Sequence, residues 1–177
     1  MTVAIKELIF LGTGTSGCIP NIPCITSKRE CKVCWSTLSP SGKKNRRRNT
    51  SLLVRYIDAT GQLRNVVIDC GKTFYESAID CFIKYDVQSI DAVILTHGHS
   101  DATLGLDDLR QWTMSLHTTI PVYLNSETYD CVSRAFPYLI DTSKATGGGA
   151  VPKLKFHKLI DHKRPINIHG LEFIPLK

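Results

Sequence analysis

The sequence predicts a mixed α/β fold, with at least one sheet covered by helices, on three observations. Two strand-like segments face each other across a turn. Short apolar strands then alternate with segments of helical spacing. Strand-like segments return at the end.

Taken in order, Ile5 to Leu11 reads as a first, largely buried strand. Gly12-Thr13-Gly14-Thr15-Ser16-Gly17 follows as a tight loop that glycine permits. Ile19 to Asn49 shows no good periodicity; a loop that long inside a domain is normally functional or stapled. Ser51 to Ile57 and Leu63 to Asp69 read as strands, with Asp58-Ala59-Thr60-Gly61-Gln62 as their hairpin turn. Phe74, Ala78, Cys81, Phe82 and Tyr85 give Thr73 to Tyr85 a helical spacing. Ala92 to Leu95 is a continuous apolar run suited to a strand buried on both faces. A helix is expected over Thr103 to Leu116, a strand over Pro121 to Leu124 and a helix over Glu127 to Phe136. Gly147-Gly148-Gly149 is a break. Leu154 to Ile160, Ile166 to His169 and Leu171 to Pro175 are expected to form a meander.

The 177 residues fit one domain, and 42% hydrophobic with 21% charged residues is a globular composition. No apolar run approaches the roughly 18–20 residues a membrane helix needs, and Leu8 to Leu11 is too short for a signal-peptide core. A cytoplasmic protein with no membrane partner is the expectation. Seven cysteines, an odd number, argue against a disulfide framework and leave clustered cysteines as metal-ligand candidates. Of the net charge of +6, five positive charges sit together in Lys43, Lys44, Arg46, Arg47 and Arg48. That reads as a local solvated loop more than as an RNA or anion contact.

Thr96-His97-Gly98-His99-Ser100-Asp101 is the most informative stretch. It directly follows the buried strand. Residues two apart in an extended chain point the same way, so His97 and His99 can aim imidazole nitrogens at one point. Gly98 is expected to let the backbone turn between them, and Asp101 to offer a carboxylate oxygen to a second point nearby. Imidazole with carboxylate suits zinc, and also manganese or iron.

His97-Gly-His99-Ser-Asp101-Ala102 resembles the His-x-His-x-Asp-His motif of the metallo-β-lactamase superfamily. Val67-Ile68-Asp69-Cys70-Gly71 is similar to that superfamily's strand ending in Asp-x-Gly. Phe10-Leu11-Gly12-Thr13-Gly14-Thr15-Ser16 and Gly105-Leu106-Asp107-Asp108-Leu109-Arg110 resemble the branch holding the phosphonate-pathway cyclic-phosphate phosphodiesterases and, more distantly, the tRNA 3′-processing endonucleases. The resemblance implies part of an αββα sandwich. It makes His97 and His99 ligands of a first metal and Asp101 a ligand of a second metal and a proton acceptor or donor. Asp69 becomes a structural support of the metal loop. Ala102 departs from the pattern, because its methyl group cannot bind metal. Gly170 to Leu176 resembles the strand just before the family's next ligand histidine. The expectation is therefore a single domain over 1–177, C-terminally incomplete, and the chain alone is expected to show little activity.

Cys31-Lys32-Val33-Cys34 is a Cys-x-x-Cys knuckle, and Cys24 lies nearby. In the phosphodiesterase relatives a similar cluster binds a structural zinc with a distal histidine. That implies Cys24, Cys31 and Cys34 here, with a wider Cys24–Cys31 spacing and with Cys18 as a candidate fourth ligand. A redox pair is the rival reading. His117, His157, His162 and His169 have no partners at ligand spacing, and Cys70, Cys81, Cys131 and Trp112 read as core.

Two classes of function follow. The first is a metal-dependent hydrolase of a small phosphodiester, cyclic or nucleotide-derived, with an RNA-processing endonuclease as the less favoured variant. The second is a non-catalytic zinc-binding fragment serving as a binding module. Homo-oligomerisation stays open.

Overall fold

The computed structural model describes residues 2–27, 30–160 and 164–176. β1 (Ala4–Gly12) runs antiparallel to β2 (Ser51–Ile57), which turns back into the antiparallel β3 (Leu63–Ile68). The β2–β3 turn is organised by the Asp58 carboxylate. Its Oδ1 accepts from Thr60 N at 2.8 Å, Thr60 Oγ1 at 2.6 Å and Gln62 N at 3.0 Å, while Oδ2 accepts from Arg64 Nε at 2.8 Å. Gly61 supplies the positive φ of 86° that the turn requires.

Two short helices, α1 (Ile22–Thr26) and α2 (Lys32–Ser36), lie between β1 and β2. After β3 the chain crosses over through α3 (Phe74–Tyr85) to β4 (Ala92–Ile94), which pairs parallel with β3. α4 (Ser100–Thr103) and α5 (Arg110–Ser115) lead to β5 (Ile120–Asn125). α6 (Ser126–Ala135) and α7 (Pro137–Ile140) lead to β6 (Leu154–Leu159), and both strands also pair parallel. The resulting six-stranded sheet has the order β1-β2-β3-β4-β5-β6. Parallel pairs need crossovers, and helices with one buried side supply them here.

One sheet face, through Ile9, Leu11, Leu53, Val67, Val93, Val122 and Leu124, packs on those helices. Phe82 fits edge-on against Phe74 at 6.0 Å and Trp112 at 5.5 Å between ring centres. On the other face, Val54, Tyr56, Val66 and Ala92 pack against a hairpin of β7 (Ile166–Ile168) and β8 (Leu171–Phe173) through Ile166 and Ile168. Tyr56 donates its hydroxyl to Ile168 O, and burial pushes its phenol up to about 12. No helix among the described residues is long and apolar enough to cross a membrane.

Four expectations change. β1 is an edge strand with one face open, Ile5, Leu8 and Phe10 being 58%, 54% and 68% exposed, where the sequence suggested a largely buried strand. The Ile19–Asn49 segment is not structureless: it holds α1, α2 and a 3-10 turn, Lys43–Asn45. Arg47 exchanges backbone hydrogen bonds with Ile19, both at 2.9 Å, which stitches the basic run to the fold. The helix expected over Thr103 to Leu116 is broken into α4, a 3-10 turn (Leu106–Leu109) and α5. The break sits at Gly105, whose N–H donates to Cys70 O at 2.8 Å. A Cβ there would meet Gly71 O at 2.5 Å, so a long-range contact overrides the local period. Finally, β6 leaves the meander and joins the main sheet beside β5, and only β7 and β8 pair as a hairpin.

Candidate metal centre

The chain leaves β4 and enters the motif at Thr96, at the carboxyl end of the parallel strands. Three donor atoms, one each from His97, His99 and Asp101, lie within 4.8 Å of one another. The imidazole centres are 4.9 Å apart with planes at 84°. His97 Nε2 lies 3.7 Å from Asp101 Oδ1. The structure thus brings the three donors to one point, where the spacing had suggested two. Two imidazoles and a carboxylate match the donor set of a divalent transition metal, and three protein donors with an open face match a catalytic site. Ala102, 1% exposed, offers no donor.

The motif is held from below by the loop after β3. Asp69 adopts φ 62°, a left-handed conformation that aspartate tolerates better than most residues. This aims its carboxylate at Thr96: Oδ1 accepts from Thr96 N at 2.8 Å and Oδ2 from Thr96 Oγ1 at 2.7 Å. Burial pushes the Asp69 carboxyl up, and the two Thr96 hydrogen bonds pull it back. Thr96 Oγ1 also lies 2.9 Å from His97 Nδ1. With the hydroxyl proton given to Asp69, the oxygen accepts from Nδ1–H, and Nε2 is left as the free donor of His97. Further clamps come from Cys70 N to Ala102 O at 2.7 Å and Lys72 N to Ser100 O at 3.2 Å. Gly71 is required by close approach, since a Cβ there would stand 1.8 Å from Asp101 O.

Thr96 was not singled out by the sequence, and its position directly before the first histidine was the available signal. Gly98 is explained differently than expected. Its φ is not positive, so the backbone conformation does not demand glycine. Helix α6 stands against it: a Cβ on Gly98 would lie 2.7 Å from Cys131 Cβ. Cys131 is therefore not a core residue; it is partly exposed and abuts the motif. Cys70 is fully buried, which pushes its thiol up, and Cys81 packs against the core.

A second cluster joins Cys24 on α1 with Cys31 and Cys34 at the start of α2, their sulfurs within 4.8 Å of one another. Asn21 N donates to Cys34 Sγ at 3.4 Å. The backbone N–H of Cys34 is the main influence lowering the Cys31 thiol, while burial pushes the Cys24 thiol up. Three sulfurs at this spacing suit zinc. Cys18 is not in the cluster; it accepts from Asn49 Nδ2 at 3.2 Å. Of the other histidines, His157 stacks on Tyr123 at 4.9 Å between ring centres, His117 and His169 sit in left-handed turns, and His162 lies outside the described residues.

This arrangement defines the class. Residues 64–177 match the family described as the beta-lactamase superfamily domain, and the chain belongs to that family, with the metallo-β-lactamase fold. The chain is similar to the crystal structure of a diphosphatase described as belonging to the PhnP family. The identity is 32%, with a TM-score of 0.69 over 94% of this chain and 55% of that one. Zn(2+)-bound PqqB from Methylobacterium extorquens shares the fold at 18% identity and a TM-score of 0.58, over 91% of this chain and 48% of that one. An octanoyltransferase of Porphyromonas gingivalis is 31% identical over 169 residues, 96% of this chain and 30% of that protein. The chain thus spans under a third of that curated relative and about half of the two solved structures.

Proposed function

We propose that the protein is a metal-dependent hydrolase acting on a phosphodiester, with a small cyclic or nucleotide-derived compound as its substrate class. The observation that carries this reading is the convergence of His97, His99 and Asp101 at the end of β4. The 32% identity to a diphosphatase supports a phosphoryl substrate. In this reading His97, through Nε2, and His99 hold zinc, manganese or iron, and Asp101 completes the set. A cation at this point supplies Lewis-acid polarisation of a phosphoryl oxygen and a lowered pKa for water. Asp69 and Thr96 fix the His97 ring and its tautomer. Asp101 would hold the cation through one carboxylate oxygen, and its other oxygen would take a proton from the attacking water and return one to the leaving oxygen.

Cys24, Cys31 and Cys34 hold a separate structural zinc in the same reading. A cytoplasmic setting belongs with it, because reduced thiols are needed there. The test is metal content and hydrolysis of bis(p-nitrophenyl) phosphate by the protein with added zinc or manganese. Little turnover is expected of these 177 residues alone, and His97-dependent turnover of a chain with the full length of the diphosphatase it matches, of which it spans 55%; turnover indifferent to His97→Ala contradicts the assignment.

Ala102 favours a second reading, a zinc-binding module without catalysis. It predicts stoichiometric metal at both clusters with no turnover of any phosphodiester.

A further inference from the structure

We infer that helix α6, through Cys131, sets the geometry of the His97-Gly98-His99 turn, so that Gly98 and Cys131 form a matched steric pair positioning the two histidines. The inference rests on the metal-centre reading above.

Gly98 is not needed for its backbone angles. What excludes a side chain there is the helix. An added Cβ would lie 2.7 Å from Cys131 Cβ, 2.8 Å from Cys131 Sγ and 3.5 Å from Thr128 Cα. The first two are roughly 0.7 Å short of ordinary carbon contact. Something must move, and α6 is held in place. Its first turn is pinned by Thr128 N donating to Asn125 Oδ1 at 2.7 Å. Its inner face is anchored by Thr128 and Val132, each 1% exposed. The strand before it is registered on β4 through Val93 beside Val122, and Leu95 N donates to Tyr123 O at 2.8 Å. The motif loop is clamped on either side of this point, at Thr96 and at Ser100 and Ala102, and it carries a histidine on each flank of Gly98.

Metal–donor distances tolerate only about 0.2 Å of error. A displacement of the size above therefore exceeds what the ligand set can absorb. The same pairing works from the helix side. Cysteine is small, and its Sγ accepts a hydrogen bond from Arg134 Nη2 at 3.5 Å. Its size matters here and its thiol chemistry does not, which separates this role from ligation or redox activity. Cys131 is a positioning residue.

The test uses Gly98→Ala, Cys131→Leu, Cys131→Ser, Cys131→Gly and the double variant Gly98→Ala/Cys131→Gly. Zinc affinity is measured by competition with a chromophoric chelator. Long-range 1H–15N spectra of the imidazoles are recorded on metal-free protein. Gly98→Ala and Cys131→Leu should each weaken zinc binding at this centre at least tenfold and shift both imidazole spin systems. Cys131→Ser should match the parent within about threefold. The double variant should recover most of what Gly98→Ala loses, judged against Cys131→Gly alone. Parent-like affinity and spectra in Gly98→Ala, or no recovery in the double variant, would overturn the pairing. If Gly98→Ala does not fold, Cys131→Leu against Cys131→Ser decides. His97→Ala separates the two levels: if it leaves zinc content unchanged, the metal-centre reading fails, and the imidazole spectra alone then decide the pairing.

Discussion

Thr96 and Asp69 are joined twice, by the Thr96 N–H to Oδ1 at 2.8 Å and by the Thr96 hydroxyl to Oδ2 at 2.7 Å. The second bond orders the third, because a hydroxyl that donates to Asp69 can only accept from His97 Nδ1, 2.9 Å away. A buried carboxylate thereby reaches a candidate metal ligand through one threonine.

Thr96→Val keeps the shape and deletes the hydroxyl. Zinc affinity at the His97 centre should fall by about 10–100-fold, the usual cost of losing a partner of a ligating histidine. Stability should fall by about 1–2 kcal/mol, since one oxygen of the buried Asp69 loses a partner. Chelator competition and urea unfolding measure the two. Unchanged affinity with lowered stability would mean that the Thr96–His97 contact does not orient the ring.

Cys31→Ser and Cys34→Ser should each lower zinc content and stability together, because a structural zinc ligand contributes folding energy directly. Cys34 is 5% exposed where Cys31 is only half-buried, which gives Cys34→Ser the larger effect. Zinc stoichiometry unchanged in both variants would remove the structural-zinc assignment.

Asp58 gives the fold an acid-sensitive turn. The Thr60 hydroxyl, with the N–H groups of Gln62 and Thr60 and the Arg64 guanidinium, holds its carboxyl well below the usual carboxylate range. A depressed carboxyl stabilises the fold fully above its unfolded value, about pH 4, and that stabilisation is lost as pH falls through the folded value. Urea midpoints between pH 7 and pH 2 should therefore drop, and Asp58→Asn should be less stable at pH 7 with a flatter acid limb. Parallel acid limbs for parent and variant would contradict this.

The basic run divides into two groups. Lys43, Lys44 and Arg46 are exposed, and their replacement by alanine together should cost under about 0.5 kcal/mol. Arg47 Nη1 donates to Lys44 O and Arg46 O, both at 2.8 Å, and Arg48 pairs with Asp80. Replacing these two should cost about 1 kcal/mol, within the range of exposed ion pairs. A larger loss from the first three than from the last two in urea unfolding would reverse the division.

Local pattern and long-range contact explain what was legible beforehand. Ser51 to Ile57 was readable residue for residue because a largely apolar run of strand length ends on the Asp58 turn. His97 and His99 were readable as a pair from their i, i+2 spacing after a strand, but that Asp101 joins them at one point was not, because the turn into α4 sets it. The single helix read over Thr103 to Leu116 was not found, because its interruption comes from Cys70 and Gly71, more than thirty residues earlier. Gly98 was recognised, but its reason lies on α6, and no spacing within the motif encodes a neighbour from another element. Cys131 read as core because an apolar stretch does not reveal which residue on a helix meets a loop. The meander misassignment has the same origin, since whether β6 joins β5 or β7 is decided by the crossover through α6 and α7.

The most direct test of the central claim is the zinc stoichiometry of purified parent protein, His97→Ala, His99→Ala and Cys31→Ser, measured by elemental analysis after removal of loose metal. The account predicts two zinc ions in the parent, one in each histidine variant and one in Cys31→Ser, with the losses occurring at independent sites. Equal zinc content in the parent and both histidine variants would contradict the claim that His97, His99 and Asp101 form a metal centre.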